Sequence, residues 1–213
     1  MEISGVIVTL SLLVLAISSS ATTVVDFCVA DFSYPLGPAG YSCKNPKNVT
    51  VDDFVFTGLS VPADTTTSIF NVGPTFAIDT TFPGLNGLGL SMVRLDIGVG
   101  GVVPIHTHRA SEVILVIDGP IIAGFIAEDN TAYFKTLYKG EIMIFPQGML
   151  HFQVNVGDAP ALAFVSLNSP NPGFQITTTS LFANGLPAEV VEKITLLDAQ
   201  QVKKLKKLFE GTN

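Results

Sequence analysis

The chain contains only three histidines, and His106, His108 and His151 are spaced around Glu112 in a way that lets all four share one ion. His106 and His108 are two residues apart, so in an extended strand both imidazoles project from one face. Glu112 lies four residues on, and a turn through Arg109-Ala110-Ser111 can bring its carboxylate back beside them. His151 follows Pro146-Gln147-Gly148 at the start of another apolar segment. Three imidazoles and a carboxylate without thiolate suit Mn, Fe, Ni or Zn rather than soft-metal or Fe–S chemistry. Four protein ligands on a six-coordinate ion leave two positions for water or a small oxyanion, as redox or Lewis-acid chemistry requires. The competing reading is a polar strand face with His151 on the surface. The coincidence of all four groups with the glycine spacing described below favours the ion.

Such ligands need stiff elements to hold them. From about Ser91 to Thr179 short apolar segments rich in Val, Ile and Phe alternate with turn residues, the pattern of an all-β sandwich or barrel without helices. Strands are expected at 91–97, 112–117, 121–127, 132–138, 142–145, 150–155 and 162–167. Between them stand turn-forming groups such as Asp118-Gly119-Pro120 and Pro146-Gln147-Gly148. The tail changes character. Pro187 opens a segment with Val190, Val191 and Ile194 at helical spacing, and Asp198 with Gln201 reads as the cap of a second helix. In that helix Val202, Leu205, Leu208 and Phe209 share a face, while Lys203, Lys204, Lys206 and Lys207 gather near the C-terminus, where they complement the helix dipole. The pair either docks on another subunit or closes over its own apolar stripe. The expected organisation is a signal peptide over 1–20, an arm over 21–60, a β-barrel over 61–180 and C-terminal helices over 181–213.

Composition narrows the partners. Charged residues make up 14% of the chain and its formal net charge is −7, so no basic face is available for nucleic acid or anionic lipid. The run Val6 to Ile17, followed by Ser18 to Ala21, reads as a signal-peptide core and cleavage site, too short to span a bilayer. No later segment reads as a membrane span. Cleavage removes Glu2 and no basic residue, leaving a net charge of −6. Cys28 and Cys43 are the only cysteines, and in an oxidising compartment a disulfide is the economical reading, with two free thiols as the alternative. Asn48-Val49-Thr50 is an N-glycosylation sequon in a polar stretch.

Two long spaced patterns run through the metal region. The first is Gly100, His106, Thr107, His108, Glu112 and Gly119, and the second is Gly140, Pro146, Gln147, Gly148, His151 and Asn155. With Asp26 to Asp31 near the mature N-terminus and Asn168 to Gly173 after the barrel, they make the chain resemble the plant germins and germin-like proteins of the cupin superfamily. It is especially similar to the subgroup that includes auxin-binding proteins of about 20 kDa. That resemblance implies an all-β cupin (jelly-roll) barrel with a C-terminal helical extension. It also implies manganese held by His106, His108, Glu112 and His151, a Cys28–Cys43 disulfide, and a homo-oligomer, a hexamer built as a trimer of dimers. Secretion to the apoplast or cell wall, with a role in defence or development, is implied too. Many relatives place four residues between the second His and the Glu. This chain has three, a length the family pattern also allows, and one residue fewer in the metal loop bears on how Glu112 is aimed.

Germins that oxidise oxalate carry asparagines at the positions aligned with Val93 and Val103. Neither valine can hold an oxalate oxygen, and an unpaired buried polar group costs about 1–3 kcal/mol, so oxalate oxidation is not expected. Superoxide dismutation demands less, an open site and a proton source. Arg94 and Arg109 are the only arginines, and Arg109 either gives the metal site a local positive field or pairs at the surface. A second class is a binding protein without turnover, holding a small anion or a carboxylate such as an indole acid in an apolar barrel mouth. A third is an inert wall or storage protein.

Overall fold

A computed structural model describes residues 25–212, so the expected signal peptide lies outside the described residues. The short apolar segments become ten strands: β1 (Val72–Ala77), β2 (Ser91–Ile97), β3 (Val102–Thr107), β4 (Glu112–Asp118), β5 (Ile121–Ile126), β6 (Ala132–Leu137), β7 (Ile142–Phe145), β8 (Leu150–Asn155), β9 (Ala161–Leu167) and β10 (Gln175–Ile176). They form two five-stranded antiparallel sheets, ordered β1-β2-β9-β4-β7 and β10-β3-β8-β5-β6. The sheets face each other across one core, the cupin arrangement.

Period-two alternation decides what fills that core. Ile114 and Val116 of β4 point in, while Val113 and Leu115 stay at the surface. Val93, Leu95 and Ile97 of β2 pack with Val165 and Leu167 of β9 and with Val103, Ile121 and Phe145. Each fully buried aliphatic side chain stabilises by about 1.5–3 kcal/mol.

Two elements depart from the expected map. β1 precedes the first expected strand, and its Pro74 is tolerated because β1 is an edge strand, where a proline leaves no ladder bond broken. The helix α1 (Thr177–Phe182) begins inside the stretch expected to lack helices. Its Thr-Thr-Thr-Ser run favours extended backbone, and burial of Phe182 against Val191 and Val202 overrides that preference.

The arm before β1 is mostly irregular, with short 3-10 turns at Pro46–Asn48, Val51–Phe54 and Gly58–Ser60. Cys28 and Cys43 are joined in a disulfide. Asn86 ties this arm to the barrel, donating to Tyr41 O and accepting from Tyr41 N. A second anchor is the Arg94–Asp96 ion pair at 2.8 Å. Arg94 donates to Leu59 O, while Asp96 accepts from Ala63 N. Burial would raise the Asp96 carboxyl, but the guanidinium and that N–H hold it below the ordinary carboxylate range.

The tail forms α2 (Ala188–Thr195) and α3 (Ala199–Leu208), with Asp198 and Gln201 closing a capping box at the start of α3. Val191 and Val202 are buried between them, and Phe209 stacks on Phe70. Not every lysine of α3 is solvated. Lys206 is 3% exposed, its ammonium donating to Asn184 O and Thr212 O, so it staples the chain end rather than forming part of a charged face. Ile194, Leu196 and Leu208 remain exposed. None of the helices among the described residues is long and apolar enough to cross a membrane.

Asn155 closes the floor of the barrel. Its Nδ2 lies within 3.0 Å of the carbonyls of Ile97, Gly98 and Ala159, and its Oδ1 accepts from Gly157 N. Asn155→Leu removes a donor shared by these carbonyls, of which Gly98 O keeps Gly101 N, and the expected loss is about 1–3 kcal/mol in chemical denaturation.

Candidate metal centre

His106 and His108 face the barrel interior because β3 changes phase. Val103 is buried and pairs with Gln153, but the register with β8 shifts before His106, which pairs with His151. An unbroken strand with Val103 inward would turn Ile105 and Thr107 inward and both histidines out. The bulge at Pro104-Ile105 inserts the residue that reverses this, leaving Ile105 exposed and His106 and His108 buried. On β8 the alternation is unbroken but inverted: His151, Gln153 and Asn155 point in, and Leu150, Phe152 and Val154 point away. A polar stripe therefore descends the inner wall of an otherwise apolar barrel.

Glu112 opens β4 directly opposite Phe145 and Leu167. The three-residue turn before it is held at several points. Arg109 N donates to Pro172 O, Ser111 N to Asn168 Oδ1, Gln147 Nε2 to Arg109 O, and Gly148 N to His108 O. The shorter loop does not re-aim Glu112 away from the histidines. One ligand atom from each of His106, His108, Glu112 and His151 lies within 4.8 Å of the others, and all four side chains are buried.

The orientation of the imidazoles is that of metal ligands. His106 Nδ1 lies 2.8 Å from Pro104 O, His151 Nδ1 lies 2.9 Å from Met149 O, and His108 Nδ1 contacts Gly173 O. A backbone carbonyl only accepts, so each Nδ1 carries the proton and each Nε2 lone pair is left for an ion. Gly173 supplies its carbonyl from a left-handed backbone at φ +69°, with the Arg109 guanidinium packed where a β-carbon would sit. Glu112 Oε2 lies 3.1 Å from His108 Nε2 and 3.5 Å from His151 Nε2. The longer contact is too stretched to satisfy His151 Nε2, which has no hydrogen-bond partner. Burial would raise the Glu112 carboxyl, yet the two imidazoles overcome it and hold the group at about 2. Burial, with His151 next in effect, lowers His106 to about 3. A neutral imidazole, an ionised carboxylate and an unsatisfied nitrogen converging on one point fit a divalent transition ion.

The cluster forms one end of a cavity of about 390 Å³, walled largely by apolar side chains including Val93, Leu95, Val103, Val165 and Phe76. Val93 and Val103, the positions where an oxalate-holding amide is expected to be lacking, both face this space. No lysine or arginine lines it. Arg94 is engaged by Asp96 under the arm, and exposed Arg109 donates to Asn171 O on the segment after β9. Neither arginine lines the cavity itself, although the Arg109 guanidinium packs against Gly173 beside the mouth.

Gln153 gives the cavity its second polar group and carried no assigned role in the sequence. It is 0% exposed, lines the cavity, and neither Oε1 nor Nε2 has a partner. Its signal was the spacing from His151, which puts both on one strand face.

The cupin family model matches residues 57–203. The auxin-binding protein ABP19b of Prunus persica is 60% identical over 93% of this chain and 95% of its own length. Germin-like protein subfamily 3 member 3 of Arabidopsis thaliana is 54% identical over 91% of this chain and 92% of its own. Among solved structures, a recombinant oxalate oxidase in complex with glycolate superposes with a TM-score of 0.85 at 32% identity, covering 90% of this chain and 98% of the other.

Two measurements follow for the metal-free protein. His106 titrates near 6.5 when unfolded and about 3 when folded, and Glu112 falls from 4.5 to about 2. In both cases the unfolded chain binds the extra proton, so stability is complete above these unfolded values and is lost as pH falls. The melting temperature is expected to drop from about pH 6.5 downward, and His106→Asn to flatten the limb between about pH 6.5 and 4.5. Separately, Gln153→Met removes two polar atoms that have no protein partner, and no loss of stability is expected by urea titration.

Proposed function

Because the chain belongs to the cupin family and, within it, to the germin-like and auxin-binding proteins, we propose that it is a secreted manganese protein of the plant apoplast that dismutes superoxide and does not oxidise oxalate. His106, His108, Glu112 and His151 hold the ion. The observation that carries this reading is the convergence of three Nε2 atoms, each oriented by a backbone carbonyl at Nδ1, on one buried carboxylate. Manganese held by these residues would supply one-electron redox chemistry. The protein's own part is to hold the ligands rigid, keep Nδ1 protonated, and keep the chamber dry. Val93 and Val103 carry no amide, which leaves Gln153 as the one side-chain amide on the described cavity wall and supports the exclusion of oxalate.

Secretion is supported by the Cys28–Cys43 disulfide and by Asn48, which stands exposed at the end of a 3-10 turn where an oligosaccharide meets no obstruction. Assembly as a homo-oligomer, a hexamer, is supported by the outer face of β4 and β7. There Val113 stands opposite Ile144 and Leu115 opposite Ile142, all four exposed.

A second reading is a carboxylate-binding protein without turnover, with an indole acid in the cavity. One observation favours it: a space of about 390 Å³ with an apolar wall far exceeds the needs of a diatomic substrate.

Metal analysis of the purified mature protein, followed by a superoxide assay on the same sample, separates the two readings. The enzyme reading expects about one manganese per chain and activity lost in His151→Ala. Asp64 stands at the exposed rim of a cavity without cationic lining in an acidic protein, so the anion is repelled rather than steered. The dismutation rate is expected to rise by about twofold from low to physiological ionic strength, the opposite of a steered enzyme. Saturable indole-acid binding by a manganese-loaded but redox-silent protein would reverse the assignment.

A further inference from the structure

The cavity opens to solvent through a narrow rim. Of its lining residues only Asp64, Thr67, Pro74 and Phe174 are exposed, the first two from the segment leading into β1, Pro74 from β1 itself and the last from the segment after β9. Phe174 alone among these four also touches the ligands. Its ring lies 4.7 Å from His106 in an edge-on contact, 5.6 Å from His108 in a stacked one, and 6.2 Å from Phe76 across the opening.

The backbone around Phe174 is fixed by hydrogen bonds, while its ring is only partly covered. Gly173 O is bonded to His108 Nδ1, Pro172 O accepts from Arg109 N, and Ile176 is paired with His106 in the β10–β3 ladder. The ring itself is 41% exposed. Rotation about its own side-chain bonds is thus the motion open to it, from a position against the imidazoles to one in solvent.

We propose that Phe174 is the gate of the metal cavity, a residue that controls which molecules reach the ligands. The reading that His106, His108, Glu112 and His151 hold an ion gives the gate its purpose, while the gating itself is a property of the apoprotein. With the ring down, both imidazoles are covered. A molecule that enters must displace it. A planar, apolar molecule recovers the lost contact by stacking on His108 itself, whereas a small anion such as superoxide makes no such contact and reaches the ligands only when the ring is displaced.

Because the chain has only three histidines and all belong to this site, carbethoxylation by diethyl pyrocarbonate, followed at 240 nm, reports on this cavity alone. The mature protein after metal removal is compared with Phe174→Ala and Phe174→Trp. Loss of two aromatic contacts is expected to accelerate the reaction about fivefold or more in Phe174→Ala. The larger ring of Phe174→Trp is expected to hold the rate at or below that of the parent, an outcome that general loosening of the fold cannot produce. An alanine variant within twofold of the parent, or alanine and tryptophan variants raised alike, overturns the gate. Loading with Mn(II) is expected to suppress the reaction in all three proteins. A loaded sample as reactive as the apoprotein overturns the metal reading, while the ratio between apo variants still decides the gate.

Discussion

Everything at the site depends on strand phase. A β-strand alternates its side chains with a period of two, and a barrel with an apolar interior admits whichever residues the phase turns inward. On β3 the inward set would be Val103, Ile105 and Thr107, a conventional core. The bulge at Pro104-Ile105 replaces it with Val103, His106 and His108. Proline suits the place, since it has no N–H to contribute to a ladder interrupted there. Its carbonyl then accepts from His106 Nδ1, so the residue that marks the change of phase also orients the ligand that results from it.

A second constraint follows. Polar groups brought into a dry barrel cost free energy unless they are paired, and this protein pairs them selectively. Asn155 is fully engaged by backbone, each Nδ1 has its carbonyl, and Asp96 has Arg94. Among the described residues the hydroxyls of Ser91, Thr107 and Thr178 remain unpaired, and on the inner wall of β8 so do His151 Nε2 and both side-chain polar atoms of Gln153. On β8 the three inward residues thus play three different parts: His151 offers a lone pair to an ion, Gln153 offers a donor and an acceptor to whatever enters, and Asn155 holds the floor together. Stability is given up where binding occurs and recovered two residues away.

Much of this was legible in the sequence, because the barrel strands from β2 onward declare themselves by Val, Ile and Phe runs between glycine and proline turns. The pairing of His106 and His108 was legible from their spacing. Which face they occupied was not, because the register shift is set by hydrogen bonding to β8 and leaves only Pro104 as a local mark. β1 was hidden by Gly73-Pro74, whose turn-like chemistry is tolerated at a sheet edge, and α1 by threonines whose local preference gives way to burial of Phe182. The burial of Lys206 was hidden for a similar reason. Its two acceptors, Asn184 O and Thr212 O, come from outside the helix, so the lysine pattern alone reads as a solvated face.

The cavity also shows why the barrel strands alone do not make the site. One part of its wall, from Ala63 to Phe70, belongs to the arm, which is fastened to the outside of β2 by the Arg94–Asp96 pair through Leu59 and Ala63. Phe70 on that wall is backed by Phe209 just beyond α3, and Phe209 in turn stacks on Phe182 of α1. The other side of the mouth, Pro172 to Ile176, runs directly into α1. The arm and the helices therefore meet at the opening from opposite ends of the chain, and the chemistry held by four residues of the barrel is enclosed by segments that have no ligands of their own. Enclosure of this kind has a physical return: it keeps the dielectric around the cluster low, which holds His106 neutral and keeps its Nε2 lone pair available in mildly acidic surroundings.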